Sequence, residues 1–224
     1  MGTRTGRPPR LSRAQILATA HRIIETHGME ALTMRRLATE LGATPMAVYH
    51  HVRDKDQLLL LLLDEAASAL ARPDLSGTPR ERLMAASLAL RDTLARVPWI
   101  IEVLTADDLF APAAMWYPEA VIDAAMAGGL ALDDAVRAYR TIWYYTAGEI
   151  MVHASAARRR NSNARTTFRD DFFAHIDAGV MPRLAAVADR WADLTEADTY
   201  ESGLRALIDG LLATTDPPAP DRAA

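Results

Sequence analysis

Cysteine is absent from the 224-residue chain, which excludes disulfide frameworks, thiolate zinc sites and cysteine nucleophiles together. Long apolar runs are missing too. The longest, Leu58 to Leu63, falls far short of the ~18 residues a bilayer-spanning helix needs. Met1 to Arg13 is basic and polar with no apolar stretch, unlike a secretory signal. Aromatic residues make up only 6% of the chain. Gly-x-Ser-x-Gly, Walker, Gly-rich dinucleotide and His-Glu-x-x-His patterns are absent, and acids and histidines are scattered rather than paired. These absences leave a soluble, cytoplasmic, globular protein with no membrane partner. No catalysis, no cofactor and no metal are expected. A chain this long buries roughly 70% of its unfolded surface and needs no covalent staple.

Charge is present, and it is unevenly placed. Residues 1–60 hold nine Lys/Arg (Arg4, Arg7, Arg10, Arg13, Arg22, Arg35, Arg36, Arg53, Lys55) against five acids, a balance of +4. The whole chain carries −4, so residues 61–224 carry −8. An acidic total therefore says nothing against nucleic acid, because attraction to phosphate is local. A basic end on an acidic body suggests a binding head on a separate core.

Helical periodicity runs through almost the whole chain, and neither hairpin signals nor useful strand alternation is found. Residues 1–10, with two Gly, two Pro and three Arg, read as a disordered basic arm. Ser12 and Gln15 form a capping box, and Ile16, Leu17, Ala20, Ile23 and Ile24 make one face of a helix over 13–27, stopped by Gly28. Thr33 caps a second helix burying Leu37, Ala38 and Leu41 and ending at Gly42. Thr44 caps a third, with Pro45 at its first position and Val48 and Val52 inward. Asp54 and Gln57 open a fourth that reaches about Leu70. Pro73–Pro79 is the best linker. Further helices are expected near 80–96, 99–106, 113–127, 132–157, 166–190 (broken near 179–182) and 196–214. Arg158 to Asn163 reads as a polar loop, and 216–224 as a disordered tail.

Three helices within 13–52, the last two joined by Gly42-Ala43-Thr44, make a helix-turn-helix. At 100° per residue, Met46, His50 and Arg53 lie opposite the inward valines, flanked by Ala47 and Tyr49. Small, aromatic and cationic side chains suit a major groove. The competing reading is a three-helix packing unit without a DNA role. His50 and His51 diverge by about 100° on a helix and lack a carboxylate or Cys four residues away, which argues against a metal pair.

The stretch Leu32–Leu59 (LTMRRLATELGATPMAVYHHVRDKDQLL) resembles the DNA-binding head of the tetracycline-repressor (TetR) family of bacterial transcriptional regulators. Leu-Thr-x-Arg at 32–35, Leu41-Gly42 at the turn, Tyr-x-His-Val at 49–52 and Lys55 carry the likeness, and residues 11–63 match as a whole. The remainder resembles the family's body more loosely, at Val97-Pro98-Trp99, Ala138-Tyr139-Arg140 and Gly203-Leu204 through Leu211. The resemblance implies an all-α chain with an N-terminal three-helix head (11–55) and a connecting fourth helix (55–70). A C-terminal helical bundle (71–215) would then bind ligand and dimerise. It places Arg35, Thr44, Pro45, Met46, Tyr49, His50, His51 and Lys55 at positions that touch DNA. Arg35 is the best candidate for a base contact, through its fork on guanine. The arm would add minor-groove contacts.

The expected partners are double-stranded operator DNA, a second copy of the chain and a small-molecule effector. Leu204, Leu207, Ile208 and Leu211 offer an i, i+3, i+4, i+7 stripe for pairing. Trp99, Phe110, Trp116, Tyr117, Tyr139, Trp143 and Glu149 are the candidate effector contacts, with Glu102, Asp107 and His153 as further polar groups. Core packing is the competing role for the rings, and ion pairing or surface exposure for the polar groups. Residues 95–105 lack a histidine for a metal–drug chelate, which disfavours tetracycline and favours a largely apolar or aromatic effector. A repressor is the expected mode, with an activator, an effector-independent regulator, or an all-α enzyme or lipid carrier as alternatives.

Overall fold

The computed structural model describes residues 11–69, 72–106, 109, 111–162, 172–173 and 175–213. The arm and the tail lie outside them. Among the described residues there are helices and turns but no strand, so the all-α expectation holds. By contact they form two compact units, 11–74 with 92–120, and 75–91 with 121–213.

The first unit begins with helix α1 (Arg13–His27). The Ser12 hydroxyl accepts from the Gln15 amide, and the Gln15 side chain accepts from the Ser12 amide at 3.0 Å. Two otherwise orphaned N–H groups are thereby satisfied. Ile16, Ala20, Ile23 and Ile24 are buried as expected. Thr19 joins them in the core, while Leu17 is only half-buried. Helix α2 (Met34–Glu40) is capped by Thr33, and Leu37 and Ala38 are its buried side.

A tight turn follows. Gly42 adopts φ +61°, its amide donates to the Thr39 carbonyl at 3.0 Å, and the Ala43 amide donates to the Ala38 carbonyl at 2.9 Å. That pair of bonds ties off the last carbonyls of α2 and requires a residue that tolerates left-handed backbone. Thr44 then caps helix α3 (Pro45–Tyr49), and Val48 and Val52 close the small core.

Helix α4 (Lys55–Ser68) is capped by Asp54 and buries Leu58, Leu59, Leu62, Leu63 and Ala67. Its expected last turn to Leu70 runs beyond the described residues. The later segment of this unit carries helix α6 (Trp99–Ala106), after Pro98, and a 3-10 turn at Pro112–Ala114 against which α4 packs. The helix expected from 113 therefore begins at Trp116.

Helix α5 (Pro79–Arg96) and helix α7 (Trp116–Ala127) each contribute residues to both units. In the second unit Leu83, Ala86, Ser87 and Leu90 of α5 are buried, as are Val121, Ala124 and Ala125 of α7. Helix α8 (Leu132–Ser162) buries Ala135, Ala138, Ile142, Trp143, Thr146, Ala147 and Ile150.

Two expectations need correction here. The polar run from Arg158 is no loop, since α8 continues through Ser162; arginine is a good helix former and neither Gly nor Pro interrupts it. The helix expected over 166–190 falls partly outside the described residues. Among the described residues of that range 172–173 are helical and the expected break is present, but beyond it the chain forms the short helix α9 (Pro182–Ala185) and a 3-10 turn at Ala188–Arg190, followed by the short helix α10 (Trp191–Glu196). Helix α11 (Tyr200–Ala213) then packs along α8, with Tyr200, Leu204 and Ile208 buried.

Candidate nucleic-acid interface

The segment from α2 through α3 to the first residue of α4 carries the residues singled out in the sequence. Arg35, Thr44, Pro45, Met46, Tyr49 and His50 are exposed, whereas His51 and Lys55 are half-buried. Met46 is 66% exposed, an unusual state for an unbranched apolar side chain beside a packed core. Its neighbour Val48 is fully buried, so the outward direction of Met46 is enforced by the core. The Thr44 hydroxyl accepts from the Ala47 amide at 3.3 Å, leaving few N–H groups free at this helix end.

Helix α3 is shorter than the periodicity suggested. After Tyr49 the chain turns, and Arg53 stands in the connection to α4. Its guanidinium donates to Asp54 at 2.8 Å, and its amide donates to the Gln57 side chain at 2.6 Å. Asp54 also accepts from the Gln57 amide at 2.8 Å. That backbone donor, aided by Arg53, holds the Asp54 carboxyl below the usual carboxylate range.

The head's cations divide into two sets. Arg22 and Arg36 both face Glu40, at 3.9 and 4.0 Å, and Arg53 faces Asp54. Arg13, Arg35 and Lys55 have no ion pair among the described residues.

The body aromatics fall in both units. Trp99 is buried and meets the ring of His21 edge-on at 5.9 Å, and His21 in turn lies 3.4 Å from Glu65. Trp116 and Tyr117 contact each other at 6.2 Å, with the Arg72 guanidinium 5.6 Å from the Trp116 ring. In the second unit Trp143 is buried and Tyr139 half-buried. Glu102 is half-buried; Asp107 and Phe110 lie outside the described residues.

Glu149 is already engaged. Arg91 donates to it at 3.1 Å and to Asp198 at 3.0 Å, and His153 stands 3.5 Å away. The Arg91 guanidinium lies 5.0 Å from the Tyr200 ring, which stacks on Tyr145 at 5.3 Å. The Tyr200 hydroxyl shares a 2.7 Å hydrogen bond with Thr146, and burial pushes its phenol up to about 12. Sequence reasoning missed Arg91, Tyr145, Asp198 and Tyr200, which are separated by up to 109 positions. No local pattern announces such a cluster. A groove of about 250 Å³ also lies in this unit, lined by Leu130, Asp134, Arg137, Ala138, Thr141 and Leu211.

Two of the four residues of the expected pairing stripe are buried inside one chain. Leu204 and Ile208 are 0% exposed against the protomer's own interior, and Leu207 and Leu211 are half-buried. An amphipathic spacing specifies a buried face, and here α8 of the same chain supplies much of the cover. Among the described residues no helix is long and apolar enough to cross a membrane. No group of three or more His, Cys, Asp or Glu there could hold a metal ion.

Comparison with known proteins places this geometry. The family described as "Bacterial regulatory proteins, tetR family" matches residues 16–62, and "Tetracyclin repressor-like, C-terminal domain" matches residues 72–215. The chain is 29% identical over 218 residues to the HTH-type transcriptional repressor DrrR1 of Streptomyces coeruleorubidus, covering 92% of this chain and 79% of that one. Mycobacterium smegmatis BioQ is similar in structure, at TM-score 0.65 and 26% identity over 91% of this chain and 98% of that one. BioQ with its natural double-stranded DNA operator gives TM-score 0.60 at 26% identity, over 91% and 99%. Streptomyces coelicolor ActR in complex with (S)-DNPA gives TM-score 0.65 at 25% identity, over 92% and 99%.

Proposed function

The chain belongs to the TetR family of bacterial regulatory proteins and is a DNA-binding transcriptional regulator; we propose that it binds a near-palindromic operator as a homodimer and represses until a small, largely apolar effector releases it. The observation that carries this reading is the outward surface of α3. Met46, Tyr49 and His50 are exposed over a closed Val48/Val52 core, with Arg35 and Lys55 unpaired beside them among the described residues. Arg35 reads a base edge, Lys55 and Tyr49 contact phosphates, and Thr44, Pro45, Met46, His50 and His51 complete the contact surface. Residues 1–10 add minor-groove contacts.

One such short helix reads too few base pairs, so two copies bind half-sites about 34 Å apart. With Leu204 and Ile208 spent inside the protomer, the pairing face is the outward ridge of α8. Leu132, Val136, Tyr144 and Val152 are exposed there at four-residue spacing, with Arg140 and Gly148 in the same row. Rows of this kind interdigitate when helices pack.

Repression is supported by the name of the relative DrrR1, and effector control by the small molecule bound to ActR. Within the first unit His21 links α1 to Glu65 of α4 and to Trp99 of α6, a path by which a displaced α6 moves the head. A coupling of about 1–3 kcal/mol changes operator occupancy severalfold or more.

Footprinting on the DNA upstream of its own gene tests the reading. A protected inverted repeat is expected, together with dimer mass by light scattering. Arg35→Ala should cost about 1–3 kcal/mol and relax preference at one base pair. No protected repeat, or a monomer at micromolar concentration, refutes the proposal.

A further inference from the structure

The division of the head's cations has a chemical consequence. Arg36 and Glu40 are both on α2, Arg22 is on α1, and the Glu40 carboxylate lies within 4.0 Å of both guanidiniums. All three side chains are partly exposed, at 34–61%. Such pairs add little to stability, because water competes with them. Their electrostatic effect outside the protein is a different matter. The trio presents +1 to its surroundings rather than the +2 of two free arginines. At physiological salt that difference is felt over about 8 Å whichever partner each arginine momentarily holds.

In a helix-turn-helix the first of the two helices crosses the sugar–phosphate backbone, and here that helix is α2. Non-specific binding is essentially all phosphate attraction. Arg35, one residue before Arg36, is left unpaired among the described residues. The masking therefore separates two adjacent arginines on one short helix: one free to meet DNA, the other neutralised.

We propose that Glu40 is a specificity-setting residue, a fixed anion that masks Arg22 and Arg36 and so holds down the sequence-independent attraction of the head for DNA. This rests on the DNA-binding role of the head. Glu40 itself need touch neither base nor phosphate.

The test compares the full-length protein with Glu40→Gln, an exposed and isosteric change, using fluorescence anisotropy on a random-sequence duplex across a salt series. Each arginine freed to reach a phosphate adds about 0.9 to the slope of log affinity against log salt, equivalent to roughly a fivefold gain at 0.15 M salt. Glu40→Gln should therefore bind random DNA about fivefold more tightly or better, with a steeper slope and an unchanged melting temperature. Glu30→Gln is the control. Glu30 is exposed on the same head and has no ion pair among the described residues, so it alters net charge equally without unmasking an arginine. An unchanged slope in Glu40→Gln, or an equal gain in Glu30→Gln, overturns the proposal. A parent protein that binds neither random nor operator DNA refutes the DNA role itself, and the proposal with it.

Discussion

Gly203 stands in the interior of α11, where glycine ordinarily weakens a helix by about 1 kcal/mol relative to alanine. The reason for its presence is steric. A Cβ at this position would overlap the Tyr145 hydroxyl and press on its ring. Tyr145 cannot simply withdraw. Its hydroxyl donates to the Tyr200 carbonyl at 3.2 Å, and its ring stacks on Tyr200, itself 1% exposed. In Gly203→Ala, overpacking costs about 1–3 kcal/mol, the lost hydrogen bond about 1 kcal/mol, and improved helix propensity offsets about 1 kcal/mol. The expected net destabilisation is about 1–3 kcal/mol, read from urea denaturation at fixed protein concentration. Adding Tyr145→Phe removes the clashing oxygen and should recover part of the loss, because the ring carbon beneath it stays close. Gly148 and Gly210 supply the contrast: a Cβ there meets nothing within 4 Å. Alanine at Gly148 should stabilise the isolated protomer while weakening dimerisation if the α8 ridge is the pairing face. A Gly203→Ala protein as stable as the parent, or more so, would refute the reasoning.

Tyr200 makes stability sensitive to alkali. Its phenol is raised by burial to about 12, so the stability it confers is intact below the ordinary tyrosine pKa near 10 and is lost as pH climbs from there through 12. Tyr200→Phe should be about 1 kcal/mol less stable at neutral pH, for the lost bond to Thr146, with a flatter decline in urea midpoint at alkaline pH. At the start of α3, Thr44→Ala should lower stability by about 1 kcal/mol through the lost cap and reduce operator affinity, measured by denaturation and gel shift. Thr44→Ser keeps the hydroxyl and should restore both.

The legible parts of this protein are those with short-range causes. Ser12 with Gln15, Thr33, Thr44 and Asp54 each satisfy amides three residues ahead, so each helix start could be read within a four-residue window. The turn at Gly42 is equally local. Misreadings came where chemistry and context diverge. Arg158–Asn163 looks like a loop by polarity, yet α8 carries through Ser162 because charged side chains do not stop a helix. For Glu149 the sequence leaves a ligand contact and an ion pair both open, and the ion-pair partner, Arg91, stands 58 residues earlier where no local pattern points to it.

Sequence by itself determined the all-α class, the helix-turn-helix and the identity of its outward side chains, because capping, periodicity and turn backbone act over a few neighbours. Which faces meet was decided only by the tertiary structure. The α11 stripe carries the same spacing whether a second copy or the chain's own α8 covers it, and periodicity records burial without naming the partner. Charge divides the same way: helix spacing already sets Glu40 four residues after Arg36 and five after Arg35, but that the same carboxylate also faces Arg22 of α1 was decided by the fold.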